Sequence, residues 1–401
     1  MDQRSCSRVV CCQGTIQLAT AIHALSFREK QNASASGTIF KNFLIVHDLF
    51  TTADQQIMFF DVIKKMAESV LAWEAIVYLD PATITRLDDI YSTKGEMQFS
   101  MEMEKFLKVG NADEVYASRN WQKGSTMLLN YFSESYKISY GDSIGLFFPE
   151  SYFSDNDWRT RLRLSGFGQR TFALKDKLKV ATQYPGRRPL LKYFETQRFD
   201  YGYFCFPSIS GEGPNFKYET IDVSDLKGTF EEFVGQMSID VPRELEGGEP
   251  FCGLLTSNFS EAERMSLHDE IDAYVSFVND HKEKYNVLLI KPHPRDSKEK
   301  IQLLKTRFLD DFKTVIVLDD PVHFYIPFEF FLIKFERGKP GMLQKSRFFT
   351  VSSSCLSFWF LFGISPYIGI GERLVRKYFR PDQVQNRLDH EDDLRRLVGT
   401  A

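Results

Sequence analysis

Strand-like and helix-like segments alternate along the first part of this chain, and this alternation limits the possible folds more than any other feature. Parallel strands need a crossover to reach their neighbours, and that crossover is usually a helix. The alternation therefore predicts a doubly wound parallel sheet of the α/β class. Strands are expected at residues 7–12, 42–47, 75–79, 114–117 and 137–140, with helices near 16–25, 53–70, 95–108 and 124–135.

The same alternation resumes at Pro250, after a stretch in which it fails. Residues 155–248 are rich in Arg, aromatic residues, Gly and Pro, which indicates an insertion and an interdomain linker with one short helix near 224–236. We expect two Rossmann-like domains, at residues 1–154 and 249–401. The second should contain strands at 251–256, 287–290, 314–318 and 347–351, with helices at 261–285 and 298–308.

Composition agrees with a two-domain globular protein and argues against a nucleic-acid-binding or membrane-spanning protein. A chain of 401 residues with 43% hydrophobic residues can bury more than one core. The net charge of −4 offers no broad basic surface, so nucleic acid is not an expected partner. The six cysteines have no C-x-x-C spacing and no apolar stretch is long enough to cross a membrane, so we expect free thiols and a cytoplasmic protein.

One segment combines a buried strand with a candidate anion site. The apolar residues 287–290 end in Lys291-Pro292-His293-Pro294, and Asp296 with Glu299 resembles the capping box of a following helix. Ligands bind at the carboxyl ends of parallel strands, and helix N-termini favour anions. His293 is therefore expected to face a phosphate-sized site, although an isolated His-Pro pair would more simply be a turn beside a helix cap.

A second strand, at residues 347–351, runs into three hydroxyl side chains and then an apolar helix. Ser352, Ser353 and Ser354 with their amide groups can donate several hydrogen bonds to one phosphate, whereas a plain N-cap explains only one serine. We expect this serine cluster and His293 on neighbouring strands of one sheet.

Other polar residues follow strands or lie in turns. Asp142 follows a strand, while Glu212 lies in a Gly- and Pro-rich stretch typical of a turn. Thr256 and Asn258 end another strand and could contact phosphate or base, but Thr256 could equally be a helix cap. Further candidates at the first strand-to-helix turn are Gly14 and Thr15.

At these motifs the sequence resembles the bacterial α-2,8-polysialyltransferase-like glycosyltransferases, whose sialyltransferase relatives share His-Pro, serine and acidic motifs. The resemblance implies a GT-B fold, in which two Rossmann-like domains face each other across a cleft. It further implies that Lys291 to Pro294 and Ser352 to Ser354 hold the phosphate of CMP-sialic acid. His293 could also donate a proton to that phosphate.

The resemblance places the remaining site residues less directly. The acidic motif best matches Asp142, although Gly141 replaces its first acid and Ser143 its glycine, and Glu212 is the rival. Asp142 would then be the catalytic base. Glu329 fits a Pro-x-Glu element that contacts the nucleotide sugar in the family, while its plain structural reading is a charge at the rim of an apolar segment.

The implied activity is an inverting transfer of sialic acid from CMP-sialic acid to an oligosaccharide or glycolipid acceptor, with no cofactor and no metal. Asp155-Asn156-Asp157 has the spacing of a metal-binding Asp-x-Asp but is interpreted as a turn. Lipid-linked acceptors would bring the enzyme to the inner face of the membrane as a peripheral protein. Two alternatives stay open: a nucleotide-sugar-binding homologue without activity, and a GT-B transferase that uses CMP-Kdo or a UDP-sugar.

Overall fold

The chain forms two compact units, which do not follow the boundaries expected at residues 154 and 248. The computed structural model describes residues 5–32, 38–120, 122–147, 197–206, 213–281 and 285–399. The first unit comprises Met1–Leu49 and Leu71–Ile221, and the second comprises Phe50–Val70 and Asp222–Ala401. The division differs from the expected one because two strands after residue 200 join the first sheet, while residues 50–70 pack with the second unit.

Seven parallel strands form the sheet of the first unit, in the order β3-β2-β1-β4-β5-β6-β7. This is the Rossmann order, in which the chain reverses direction across the sheet between β1 and β4. The strands are β1 Ser5–Cys12, β2 Ile39–His47, β3 Ala75–Leu79, β4 Glu114–Ala117, β5 Tyr136–Ser139, β6 Tyr201–Phe204 and β7 Lys217–Thr220. The helices among them are α1 Thr15–Asn32, α2 Gln56–Val70, α3 Pro81–Lys94, α4 Glu96–Leu107 and α5 Lys123–Tyr131.

Five parallel strands form the second sheet, in the order β10-β9-β8-β11-β12, which repeats the Rossmann pattern. Its strands are β8 Cys252–Leu255, β9 Val287–Lys291, β10 Thr314–Val317, β11 Arg347–Thr350 and β12 Tyr367–Ile368. The helices of this part are α6 Val223–Gln236, α7 Leu267–His281, α8 Lys298–Phe308, α9 Pro321–Tyr325, α10 Phe328–Gly338, α11 Ser354–Phe362, α12 Glu372–Tyr378 and α13 Val384–Gly399.

Strand β9 shows why the second sheet is covered on both faces. Leu288 and Ile290 enter one apolar core, while Val287 and Leu289 enter another, because successive side chains of a strand point to opposite faces. A strand buried on both faces reads as an uninterrupted apolar run, as this one does. The predicted α/β class, with two doubly wound Rossmann-like sheets, is confirmed. Within the described ranges, no helix is long and apolar enough to span a bilayer.

Candidate functional site

Three loops lie at the carboxyl edge of the second sheet. The order of the strands before them contradicts the prediction that the His-Pro loop and the serine cluster follow neighbouring strands. The His-Pro loop follows β9 and the serine loop follows β11, but β8 lies between these strands, so they are not neighbours. Two strand spacings separate them by about 10 Å. The reversal point of the sheet, where such folds bind ligands, lies between β8 and β11.

The His-Pro loop holds His293 as a neutral ring with a defined tautomer. The backbone N–H of His293 donates to Thr256 Oγ1 and to Asp296 Oδ2, both at 2.9 Å, and the N–H of Arg295 donates to His293 Nδ1 at 3.1 Å. Burial, reinforced by Arg295 and Lys300, lowers the pKa of His293 to about 3. Since Nδ1 accepts a hydrogen bond, the single proton lies on Nε2, which can donate to a ligand.

Asp296 is not the helix cap that the capping-box pattern predicted. The N-cap of α8 is Ser297, whose hydroxyl accepts from the N–H of Lys300 at 3.1 Å. Asp296 is fully buried and accepts from the Thr256 hydroxyl at 2.5 Å. Its carboxylate therefore joins the β8 loop to the His-Pro loop.

Lys300 is a buried cation that the sequence analysis missed. Its Nζ contacts Asp296 Oδ1 at 2.9 Å, Glu270 Oε1 at 2.5 Å and Glu261 Oε2 at 3.2 Å, and donates to the carbonyl of Ser257 at 2.5 Å. Burial alone would lower the pKa of Lys300, but the three carboxylates outweigh it and the pKa is raised. In the sequence, the i,i+4 spacing of Asp296 and Lys300 could have indicated this ion pair.

We expect Lys300→Met to destabilise the protein by about 3–5 kcal/mol, since it leaves buried carboxylates without their cation. Denaturant unfolding measures this directly. Lys305→Met is the matched control, because Lys305 lies exposed on the same helix and its loss should change stability by no more than about 0.5 kcal/mol. Equal stability of the two variants would show that this network does not hold the loops.

The serine loop places its hydroxyl groups at the start of α11. Ser352 Oγ lies 3.2 Å from Ser354 Oγ and 3.3 Å from Thr350 Oγ1, and all three serines are half-buried. Ser353 is the N-cap residue, yet its side chain makes no capping hydrogen bond. A plain N-cap at Ser353 therefore does not account for the serine cluster.

Lys291 and Glu329, both predicted to bind the donor, are largely engaged within the protein. Lys291 Nζ donates to the carbonyl of Phe324 at 2.6 Å, and burial lowers its pKa to about 7 against the opposing effect of Glu329. Glu329 lies in the first turn of α10, where Oε1 accepts from the Ser357 hydroxyl at 2.5 Å. Burial raises the pKa of Glu329, although Ser357 and Lys291 lower it in part. Glu329 is thus tied to the helix that begins at the serine cluster.

Thr256 and Asn258 differ in how far their side chains are engaged. The Thr256 hydroxyl donates to Asp296 and accepts from His293, so it positions the His-Pro loop. Asn258 is half-buried on the same loop, and within the described residues its side chain makes no hydrogen bond. The structure thus leaves Asn258 the more available of the two for a ligand.

Asp142 lies at the corresponding edge of the first sheet, just after β5. Arg119 binds its carboxylate through Nε and Nη2, with Nε 2.5 Å from Oδ1, and Gln17 Nε2 donates to Oδ1 at 3.1 Å. Three donors from described residues thus occupy three of the four lone-pair positions of a carboxylate. Among the described residues, no donor occupies the fourth position, on Oδ2.

The remaining predicted site residues are Gly14, Thr15 and Glu212. Gly14 and Thr15 lie where β1 passes into α1, and the carbonyl of Gly14 accepts from Leu18 N–H at 3.0 Å. Glu212 lies outside the described residues, as does the Asp-x-Asp segment at 155–157.

A protein-family model matches part of the chain. Residues 178–334 match the family model described as alpha-2,8-polysialyltransferase, a range that includes the His-Pro loop and Glu329 but ends before the serine cluster. The match confirms the resemblance to this family over that part of the chain and supports a glycosyltransferase similar to the sialyltransferases.

Solved structures with a similar fold were also found, and no curated protein matches the chain significantly. UDP-GlcNAc 2-epimerase from Neisseria meningitidis is 8% identical with a TM-score of 0.42, covering 97% of this chain and 94% of that one. The same enzyme from Methanocaldococcus jannaschii is 10% identical with a TM-score of 0.39, covering 99% and 100%. E. coli heptosyltransferase WaaC is 10% identical with a TM-score of 0.33, covering 86% and 89%.

Proposed function

We propose that the protein transfers sialic acid from CMP-sialic acid to a hydroxyl group of a glycan acceptor, with inversion of configuration and without a metal ion. The observation that carries this proposal is the placement of His293 and the serine cluster on one edge of one sheet, on either side of the β8 loop. The family match over residues 178–334 supports the choice of donor.

The donor phosphate would bind between the His-Pro loop and the serine loop. His293 Nε2–H, the serine hydroxyls and the N-terminus of α11 are hydrogen-bond donors that can meet the charge developing on the departing phosphate. The neutral ring donates a hydrogen bond but carries no second proton to release, so we assign His293 to charge stabilisation. These donors supply the stabilisation that a metal ion provides in other transferases.

The acceptor hydroxyl would lose its proton to Asp142. Its position after β5 places a carboxylate at the ligand-binding edge of the first sheet, with one lone-pair position unoccupied by the described residues. Attack on the anomeric carbon from the face opposite the phosphate then gives inversion. Glu329 and Asn258 are proposed to contact the nucleoside.

The test is CMP release from CMP-sialic acid, measured with and without a glycan acceptor. We expect release to rise with acceptor, and the variant Ser352→Ala/Ser354→Ala to bind CMP about a hundredfold more weakly while its affinity for cytidine is unchanged. Ser133→Ala, which removes an exposed hydroxyl of the first unit, should leave both affinities as they are.

Each alternative predicts a different result in the same assay. CMP binding without any acceptor-stimulated release would identify a non-catalytic binding homologue. Release from CMP-Kdo or from a UDP-sugar, but not from CMP-sialic acid, would assign a different donor. Equal loss of CMP and cytidine affinity in the serine variant would remove the serine cluster from the phosphate site.

A further inference from the structure

A segment from the N-terminal half of the chain, residues 50–70, packs beside the His-Pro loop and is called the strap. It follows β2 and precedes β3 in sequence but belongs to the second unit. Its anchor is Tyr325 of α9: the Tyr325 ring stacks on Phe59 with centroids 4.5 Å apart, and its hydroxyl donates to Gln55 Oε1 at 2.9 Å. These contacts fix the start of the strap on the second unit.

The first two residues of the strap contact the His-Pro loop directly. The Thr51 hydroxyl lies 2.8 Å from the carbonyl oxygen of Pro294 and 3.1 Å from Gln55 Oε1, and it also hydrogen-bonds with Tyr325. The guanidinium carbon of Arg295 lies 4.8 Å from the centre of the Phe50 ring, a cation–π contact. Thus both residues after His293 are held by the strap.

One peptide unit connects Thr51 to the ring of His293. The carbonyl of Pro294 and the N–H of Arg295 are the two ends of the same planar amide, and they point in opposite directions. Thr51 binds the oxygen end, while the N–H end donates to His293 Nδ1 at 3.1 Å. A donor on the oxygen of an amide also polarises its N–H, which strengthens the second bond.

We propose that Thr51 and Phe50 are positioning residues for His293: by fixing the orientation of the Pro294–Arg295 peptide, the strap keeps Nδ1 occupied and the proton on Nε2. This inference rests on the proposed function for its catalytic consequence, but not for the tautomer. Without the strap contact the amide can rotate, Nδ1 becomes free to carry the proton, and the donor aimed at the phosphate is lost.

Thr51→Val removes the hydroxyl and keeps the shape of the side chain. We expect it to lower kcat of sialyl transfer about tenfold, which corresponds to the net free energy of one hydrogen bond. We also expect the Nδ1–H tautomer of His293 to appear in ¹⁵N NMR spectra of the full chain. Thr51→Ser should restore both. Thr85→Val is the matched control, because it removes another hydroxyl bond to a proline carbonyl, Thr85 to Pro81 at 2.8 Å, in the first unit.

A second variant, Phe50→Leu, tests the same peptide through the side chain of Arg295 and should shift the tautomer in the same direction. The inference is overturned if Thr51→Val and Phe50→Leu both fold and keep a single Nε2–H tautomer. If the two variants show the tautomer change but the wild-type protein transfers no sialic acid, the proposed function is refuted and the positioning role remains, since the NMR signal does not depend on activity.

Discussion

Replacing His293 with Ala should lower the rate of sialyl transfer by about 10²–10³, the usual effect of removing one preorganised donor to a developing charge. The Nε2–H of His293 is available for this purpose because Arg295 occupies Nδ1. CMP should also bind more weakly, since the phosphate remains in the product. Transfer kinetics and CMP titration measure the two effects, and His268→Ala, at an exposed histidine of α7, should change neither.

The pH dependence separates a hydrogen-bond donor from a proton donor. With its pKa lowered to about 3, His293 stays neutral from pH 5 upwards and should add no limb to the rate profile in that range. In the unfolded chain the pKa of this histidine is near 6.5, so the unfolded state binds the proton at a higher pH than the folded state does. The free energy of unfolding therefore decreases as the pH falls from about 6.5 to 3. A limb near pH 6.5 that disappears in His293→Ala would instead make the ring a general acid.

The sequence predicted the strands and helices better than their arrangement. Helix α8 has the predicted limits, and β9 extends one residue beyond them, because a doubly buried strand is a continuous apolar run and a helix shows its own spacing. Strand order has no such local pattern. Strand order depends on which strand lies at the centre of the sheet, and here β8 lies between the strands that precede the His-Pro loop and the serine loop.

Within the candidate site, one local pattern pointed to the wrong residue, and the long-range contacts were missed. Asp296 was interpreted as a cap because Asp296 and Glu299 match the capping-box pattern, yet Ser297, which has Lys300 and no acid three positions later, is the N-cap residue. The carboxylate of Asp296 is instead matched to Lys300, in a buried pair that only the folded chain forms. Thr51 lies more than 240 positions before Pro294, and no sequence spacing could have indicated that contact.

On the acceptor side, Asp142→Asn should lower transfer by about 10²–10⁴, the range expected when a general base is removed. The amide keeps the size of the carboxylate but cannot take a proton. Because Asp142 belongs to the first unit, CMP binding by the second unit should be unchanged. Transfer kinetics together with CMP titration therefore distinguish this variant from His293→Ala, which impairs both.

Asp80→Asn is the matched control for Asp142→Asn, since Asp80 lies at the same edge of the first sheet but caps α3, accepting from the N–H groups of Ala82 and Thr83. It should leave transfer unchanged. Arg119 pairs with Asp142, so a structural explanation would predict loss of stability together with loss of rate. Full transfer by Asp142→Asn would exclude this carboxylate as the base and make Glu212 the next candidate, because it carries the other acid that the motif allows.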